Sequence, residues 1–486
     1  MGRRKISVFQ RLQAGEKLNR RDRRELQRQW DAGDAELKIV HPDAAGIDVG
    51  NASHFVSVPA GRDADPVREF GSWTADLHRL AAWLKSCGIK TVAMQSTGVY
   101  WIALQDVLEQ EGFEVYLVNA RGTKNLPGRK SDVQECQWLM KLHAYGLLRN
   151  SFRPADEIRG VRTIWRQRGR LIESASEAIQ QMQKALTTMN VQLANVISDI
   201  SGATGMAIVR AILKGERNPQ ALAKLRDKRI QASEQEIAHS LQGHWRSELL
   251  FELEQVVEKY DFIRKQIAAC DVEVQKRLSQ LPSLGDEKNR PVEAELETRP
   301  KRRAKTPRKN EPQFDLRSEL RRIFGVDLTR IDGIDVITAQ VVLSEVGVDL
   351  RAFPTEDHFS SWLELSPRND ITGGKVIRQK SRKSKNRLAN ALRMAAESLS
   401  RSDSYLGARY RKYRARMEGP QAVKAMAHVL ARLIYRLLTK GQEYVDRGAA
   451  YFEKKNHQRA LLALQRKAID FGMQLVPITQ TAESLQ

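Results

Sequence analysis

Cysteine is scarce in this chain: Cys87, Cys136 and Cys270 are the only three among 486 residues. They lie far apart and show no CxxC spacing, which excludes a zinc ribbon and leaves no disulfide framework. Long apolar runs are missing too. No stretch approaches the ~20 apolar residues that span a bilayer, and the basic start Gly2-Arg3-Arg4-Lys5 leads into no signal-peptide core. A soluble, cytoplasmic protein with no membrane partner is the expectation. Acid is the scarcer charge, with 59 Asp plus Glu against 81 Lys plus Arg and a net charge of +22. An excess of this size points to a polyanionic partner, because Lys and Arg that neutralise phosphates release condensed counterions.

The chain exceeds the roughly 250–300 residues at which single cores stop growing, so several domains are expected. Residues 1–43 read as a basic extension centred on Arg20-Arg21-Asp22-Arg23-Arg24. From 44 to 155 short β-like runs (Gly46-Ile47-Asp48-Val49, 54–58, 91–94, 115–118) alternate with helical spacing at Leu77, Leu80, Ala81 and Leu84 and over 100–111. That alternation predicts an α/β domain. Over 156–280 two long apolar stripes run at 3–4 spacing, one from Val161 to Met189 and interrupted at Arg168, the other from Leu250 to Val274. They predict a long helical, coiled-coil middle, either an antiparallel pair or a dimerising stalk, with a smaller helical insertion near 206–213. Residues 281–315 lose periodicity and carry Arg299-Pro300-Lys301-Arg302-Arg303-Ala304-Lys305, a basic linker. A mostly α domain follows over 316–445, and 446–486 is a peripheral tail.

Asp48 ends an apolar run and precedes Val49-Gly50-Asn51, so its carboxylate can project from a strand end. Asp132 and Glu135 stand three apart at the start of an expected helix and therefore share a face. Carboxylates so arranged can hold Mg²⁺ or Mn²⁺, hard cations that bridge to phosphate. Another reading of the helical pair is structural, with Asp132 as N-cap and Glu135 completing a capping box.

In the last domain, Leu328 to Ala339 resembles a helix-hairpin-helix turn, whose amides can cradle a phosphate, with Asp335 in place of the usual second glycine; a purely structural turn is the other reading. Further on, Asn369-Asp370-Ile371-Thr372-Gly373-Gly374-Lys375 leads into Arg378, Lys380, Arg382, Lys383, Lys385 and Arg387 with no acid between Lys375 and Arg387. A basic run beside a Gly-Gly turn and a hydroxyl reads as a phosphate-gripping loop.

Four segments in order carry a resemblance: Gly46-Ile47-Asp48-Val49, Met94-Gln95-Ser96-Thr97-Gly98-Val99-Tyr100-Trp101, Val118-Asn119-Ala120-Arg121 and Gly128-Arg129-Lys130-Ser131-Asp132-Val133-Gln134-Glu135. Together with the loop around Thr372 they resemble the motifs of the insertion-sequence one-ten transposases, eleven-eleven subgroup. The resemblance implies a RuvC/ribonuclease-H-like DEDD domain joined to a serine-type transposase domain. It puts Asp48 at the first acid, Gln95 where the family has Glu, Asp132 at the third, and Glu135 where the fourth is usually Asp. Asp48, Asp132 and Glu135 are the expected metal ligands, and a glutamine at 95 can offer only a neutral carbonyl oxygen.

The residue matching the family's nucleophilic serine is Thr372, with Ser381 and Ser384 in reserve; the hydroxyl needs a base, a metal or a cationic field to become nucleophilic. Arg121, Lys124, Arg129 and Lys130 join Lys375, Arg378, Lys380, Arg382, Lys383 and Lys385 as expected nucleic-acid contacts. The implied function is site-specific insertion and excision of a mobile element. Its partners are the element ends and target DNA, a structured guide RNA, and further copies of the chain in a dimer or tetramer, in a bacterial cytoplasm at the nucleoid. Two alternatives stay open: a metal-dependent structure-specific nuclease in which Thr372 is structural, and a nucleic-acid-binding relative impaired in chemistry.

Overall fold

The computed structural model describes residues 39–96, 98–119, 131–284, 310–372, 375–380, 385–441 and 448–475; within 368–372 and 375–380 the backbone is described, with the side chain of Ile377 alone. The chain divides into two units, 1–153 and 154–486. Among the described residues no helix is long and apolar enough to cross a membrane.

The first unit is built on a five-stranded sheet: β1 (Ala44–Val49), β2 (Ser53–Ser57), β3 (Val67–Gly71), β4 (Thr91–Gln95) and β5 (Glu114–Val118), in the order β3-β2-β1-β4-β5. β2 runs antiparallel to β1 and β3, whereas β4 and β5 run parallel to β1. This mixed order, with its helices, is consistent with a ribonuclease-H-like fold. β1 sits at the centre, and its continuous run Ala44 to Ile47 is buried because both faces are covered. Helices α1 (Thr74–Ser86) and α2 (Trp101–Gln110) bury Leu77, Leu80, Leu84, Leu104 and Leu108 in the same apolar cluster as Ala45, Ile47 and Val49. β3 is a strand that sequence periodicity missed. It is an edge strand of sequence VREFG, none of it fully buried, so it carries little apolar alternation.

Helix α3 (Asp132–Ala144) lies on the opposite face of β1. A Cβ added to Gly46 would stand 2.2 Å from the Met140 nitrogen and 2.3 Å from the Cys136 carbonyl oxygen. Only glycine lets strand and helix backbones approach this closely. The far end of α3 is held by His143, which is fully buried; its Nε2 lies 2.8 Å from the Thr91 hydroxyl and its ring stacks on His41 at 4.8 Å. Burial, with the nearby His41, pulls the His143 imidazole down to about 4.

The second unit opens with two 33-residue helices, α4 (Asp156–Thr188) and α8 (Ser247–Ser279). Between them come α5 (Ala203–Leu213), α6 (Pro219–Ala223) and α7 (Glu234–Ser240), which bury Ile208, Leu222 and Ile237 against Met182 and Leu253 of the long pair. The start of α4 meets the end of α8, so the pair is antiparallel and each long helix finds its partner within the chain. Arg168, which interrupts the apolar stripe, is explained here. It is buried and forms an ion pair with the equally buried Asp271 of α8, and it donates to the Asn310 carbonyl at 2.9 Å.

The remaining helices are α9 (Leu316–Phe324), α10 (Val336–Val346), α11 (Glu356–Trp362), α12 (Arg387–Ser398), α13 (Tyr405–Arg414), α14 (Gly419–Lys440) and α15 (Gly448–Asp470). α4 is tied to α10 by Arg166, which donates to both carboxylate oxygens of buried Glu345 at 3.0 and 2.7 Å. α11 is tied to α14 by Glu356, gripped by Arg432 and Arg436, which hold its carboxyl down at about 2. α15 buries none of its residues, touching α13 through Tyr405 with Tyr451 and Phe452. Between α11 and α12 lies a two-stranded antiparallel hairpin, β6 (Arg368–Thr372) and β7 (Lys375–Lys380), with an irregularity between Asp370 and Ile371.

Candidate active site

Asp48 and Gln95 reach the site by strand alternation. Ala45, Ile47 and Val49 point into the apolar cluster, so Gly46 and Asp48 face α3. On β4, Ala93 pairs with Gly46 and Met94 with Ile47, which puts Gln95 on the α3 side as well. Gln95 is 5% exposed, and its Nε2 donates to the Glu135 carboxylate. The bond crosses from strand to helix and settles which way the amide points: the NH₂ faces Glu135. The neighbouring carboxylate takes the donor end of the amide.

The structural reading of the acidic pair is also corrected. The N-cap of α3 is Ser131, whose hydroxyl accepts from the Gln134 amide at 3.4 Å. Asp132 is thus the first helical residue, and Glu135, one position past a capping-box partner, receives its bond from Gln95. Neither carboxylate is consumed by capping.

Asp48 is half-buried. Its carboxyl is pushed up to about 6, first by burial and then by the negative charges of Glu135 and Asp132. Both charged groups that act on it are acids, an arrangement that favours a cation. Among the described residues no three His, Cys, Asp or Glu side chains stand close enough to enclose a metal ion by themselves. The set is an open one. Asp48, Asp132 and Glu135 act on one another through charge without closing around a common position.

The second candidate region lies in the other unit. Thr372 is the last residue of β6, and its backbone pairs with Lys375, the first of β7. The segment expected to be a basic loop is therefore a paired hairpin through Lys380, and Gly373 and Gly374 lie outside the described residues. Arg378 and Lys380 fall on β7, and Lys385 is exposed just before α12. Arg121, Lys124, Arg129, Lys130, Ser381, Arg382, Lys383 and Ser384 lie outside the described residues, as do the extension up to residue 38 and the basic run 299–305.

The turn at 328–339 leads into a helix start capped by a side chain of the chain itself. Asp335 is the N-cap of α10, and its carboxylate accepts from the Thr338 amide and hydroxyl, both at 2.8 Å. A carboxylate already occupies the helix start that a phosphate would need. Gly333, at φ +88°, faces the Ala395 carbonyl and Leu399 of the following helical segment, where its lack of a Cβ serves packing.

The comparisons with known proteins fall on these two regions. Residues 45–191, which include Asp48, Gln95, Asp132 and Glu135, match the family model of DEDD-type transposases of IS110. Residues 327–411, which include Thr372 and β7, match the model described as Transposase IS116/IS110/IS902 family. No curated protein matches the chain. Two transposase models, matched in order along the chain, identify a DNA transposase. The chain belongs to the IS110 family of transposases.

Gly46, Ser131 and His143 were not singled out from the sequence. Glycine between apolar residues is a usable signal of close approach. Ser131 stands before two acids, where an N-cap is expected. His143 offers no signal short of the packed structure.

Proposed function

We propose that this transposase inserts and excises its element through two cooperating regions, the carboxylates around Asp48 and the hydroxyl of Thr372. The observation that carries the reading is the grouping of Asp48, Asp132 and Glu135 beside Gln95 in a chain of net charge +22. Asp48, Asp132 and Glu135 would hold a divalent cation, Mg²⁺ or Mn²⁺. When bound, such an ion stabilises charge developing on a phosphoryl oxygen. Asp48 and Asp132 keep the site strongly negative, and Gln95 fixes Glu135.

In the exchange step the Thr372 oxygen forms a bond to phosphorus while a bond from phosphorus to a deoxyribose oxygen breaks. The Thr372 proton passes to solvent, and the departing oxygen takes up a proton. Energy of the phosphodiester is kept in the threonine–phosphate link, so a second DNA hydroxyl can reverse the step on a new strand. Lys375, Arg378, Lys380 and Lys385 supply positive charge for the DNA backbone. A structured guide RNA as second polyanion, and assembly of two or four copies at the nucleoid, complete the reading.

The test mixes the full chain with a labelled element end, its flanking RNA and Mg²⁺, and looks for a denaturation-resistant protein–DNA adduct. The wild type is expected to form it and Thr372→Val to lose it entirely. If Thr372→Val still cleaves and releases hydrolysed ends, the protein is a metal-dependent nuclease and the covalent step is wrong.

A further inference from the structure

We propose that α13 and the tail helix α15 together hold the phosphate backbone of duplex DNA through Lys412, Arg416 and Arg459, a site that does not depend on the reading of Asp48 and Thr372. α15 buries none of its residues. Apolar contact joins its first turns to α13, where Phe452 meets Tyr405 edge-on at 5.0 Å and Tyr451 lies 6.3 Å from the same ring. Two turns along α13 from Tyr405, the Lys412 ammonium stands over the Phe452 ring at 5.9 Å. Arg459 follows Phe452 by two turns and so shares its helical face, and Arg416 stands just past the end of α13, one turn beyond Lys412.

The charges gathered here have one sign. α13 carries Arg409, Arg411, Lys412 and Arg414 and no acid. Arg409 donates to the Tyr413 hydroxyl at 2.9 Å and Arg411 to the Ser402 carbonyl at 2.7 Å, so both are engaged within the chain. Lys412, Arg416 and Arg459 are not, since among the described residues no carboxylate pairs with them. The Lys412 ammonium is held below its ordinary value, first by partial burial and then by the positive charges of Arg416 and Arg459. Elsewhere in this unit an arginine between helices faces a carboxylate, as Arg168 faces Asp271 and Arg432 faces Glu356. Between α13 and α15 the cations come from both sides, and no acid of the chain answers them.

A solvated basic face is the other reading, in which long side chains spread apart. The Tyr405–Phe452 contact works against spreading, because it brings Lys412 and Arg459 together from different helices. Phosphate is the anion that complements such a cluster, and DNA is the phosphate polymer that a transposase handles. Unpaired strands are gripped by stacking bases on free aromatic faces. Here Lys412 covers Phe452 and Lys455 covers Tyr451, which favours a duplex presenting its backbone. Phosphate contacts of this kind position DNA without reading its sequence.

The experiment follows binding of the full-length chain to fluorescent duplex DNA of arbitrary sequence by anisotropy, across about 50–200 mM salt. A variant carrying Lys412→Gln, Arg416→Gln and Arg459→Gln is compared with one carrying Lys214→Gln, Lys224→Gln and Lys228→Gln, exposed lysines of the same unit. Both lose the same charge, so net charge alone does not separate them. The first is expected to lose about 2–3 from the magnitude of the slope of log K against log salt, close to 0.9 for each phosphate contact, and the second less than about 1. Should the first fail to fold by circular dichroism, Arg459→Gln alone, on a helix that buries nothing, decides through a loss of about 1. An unchanged slope at Lys412, Arg416 and Arg459, or an equal fall in both variants, overturns the proposal. So does a fall seen with an RNA hairpin of matched length but absent with the duplex.

Discussion

The carboxylates that join helices in the second unit of this transposase and those around Asp48 in the first are treated in opposite ways. In the second, Asp271 faces Arg168, Glu345 faces Arg162 and Arg166, and Glu356 faces Arg432 and Arg436. In the first, Asp48 is half-buried and is acted on by Glu135 and Asp132, while Glu135 is met by a neutral amide. The Arg-paired acids join helices to one another. The acids around Asp48 raise each other's energy and gain from an added cation. Burial by itself does not separate the two classes; the sign of the neighbouring charge does.

The comparison breaks most visibly at the Arg168–Asp271 pair. Removing one partner leaves a buried charge unmatched, so Asp271→Ala is expected to lower stability by about 3–5 kcal/mol in denaturant unfolding, whereas Arg168→Met with Asp271→Leu should be nearly neutral. Equal losses from the single and the double change would show that the helices are held by packing alone and that the pair is incidental.

A smaller effect sharpens the comparison within the first unit, at the opposite end of α3 from its acids. His143 titrates near 6.5 when unfolded and near 4 when folded. Below its ordinary value the unfolded chain binds a proton that the folded one refuses. Stability is therefore greatest above about pH 6.5, falls as the pH drops toward 4, and levels off below that. The wild type should lose about 1–3 kcal/mol over this window beyond the loss shown by His143→Gln. Parallel pH profiles for the two proteins would remove His143 as an anchor of α3.

Much of the sheet was legible because β1, β4 and β5 read as apolar runs: Gly46 to Val49, Thr91 to Met94 and Val115 to Val118 all lie in strands. β3 was not, since its partly exposed residues VREFG carry little apolar alternation. β6 and β7 were hidden for a related reason: Arg368 to Lys380 is a polar, basic stretch with no apolar alternation to mark its strands. The long helices were plain from periodicity, but Arg168 looked like a flaw until Asp271, 103 residues away, supplied its partner. At the site, spacing alone left Asp132 and Glu135 open to a capping role, and Ser131 decided against it. The orientation of Gln95 depended on a helix 40 residues on and was beyond any reading of local sequence.

The most direct test of the account is Asp48→Asn in the full-length chain, following strand exchange between element end and target in Mg²⁺ together with salt-dependent DNA binding. The substitution takes one negative charge from a group of acids that repel one another, so folding and binding should survive. Exchange should fall by about a thousandfold or more, the equivalent of several kcal/mol of lost charge stabilisation, with binding changed by less than about twofold, since binding rests on Lys and Arg. Undiminished exchange by Asp48→Asn would contradict the account at its centre.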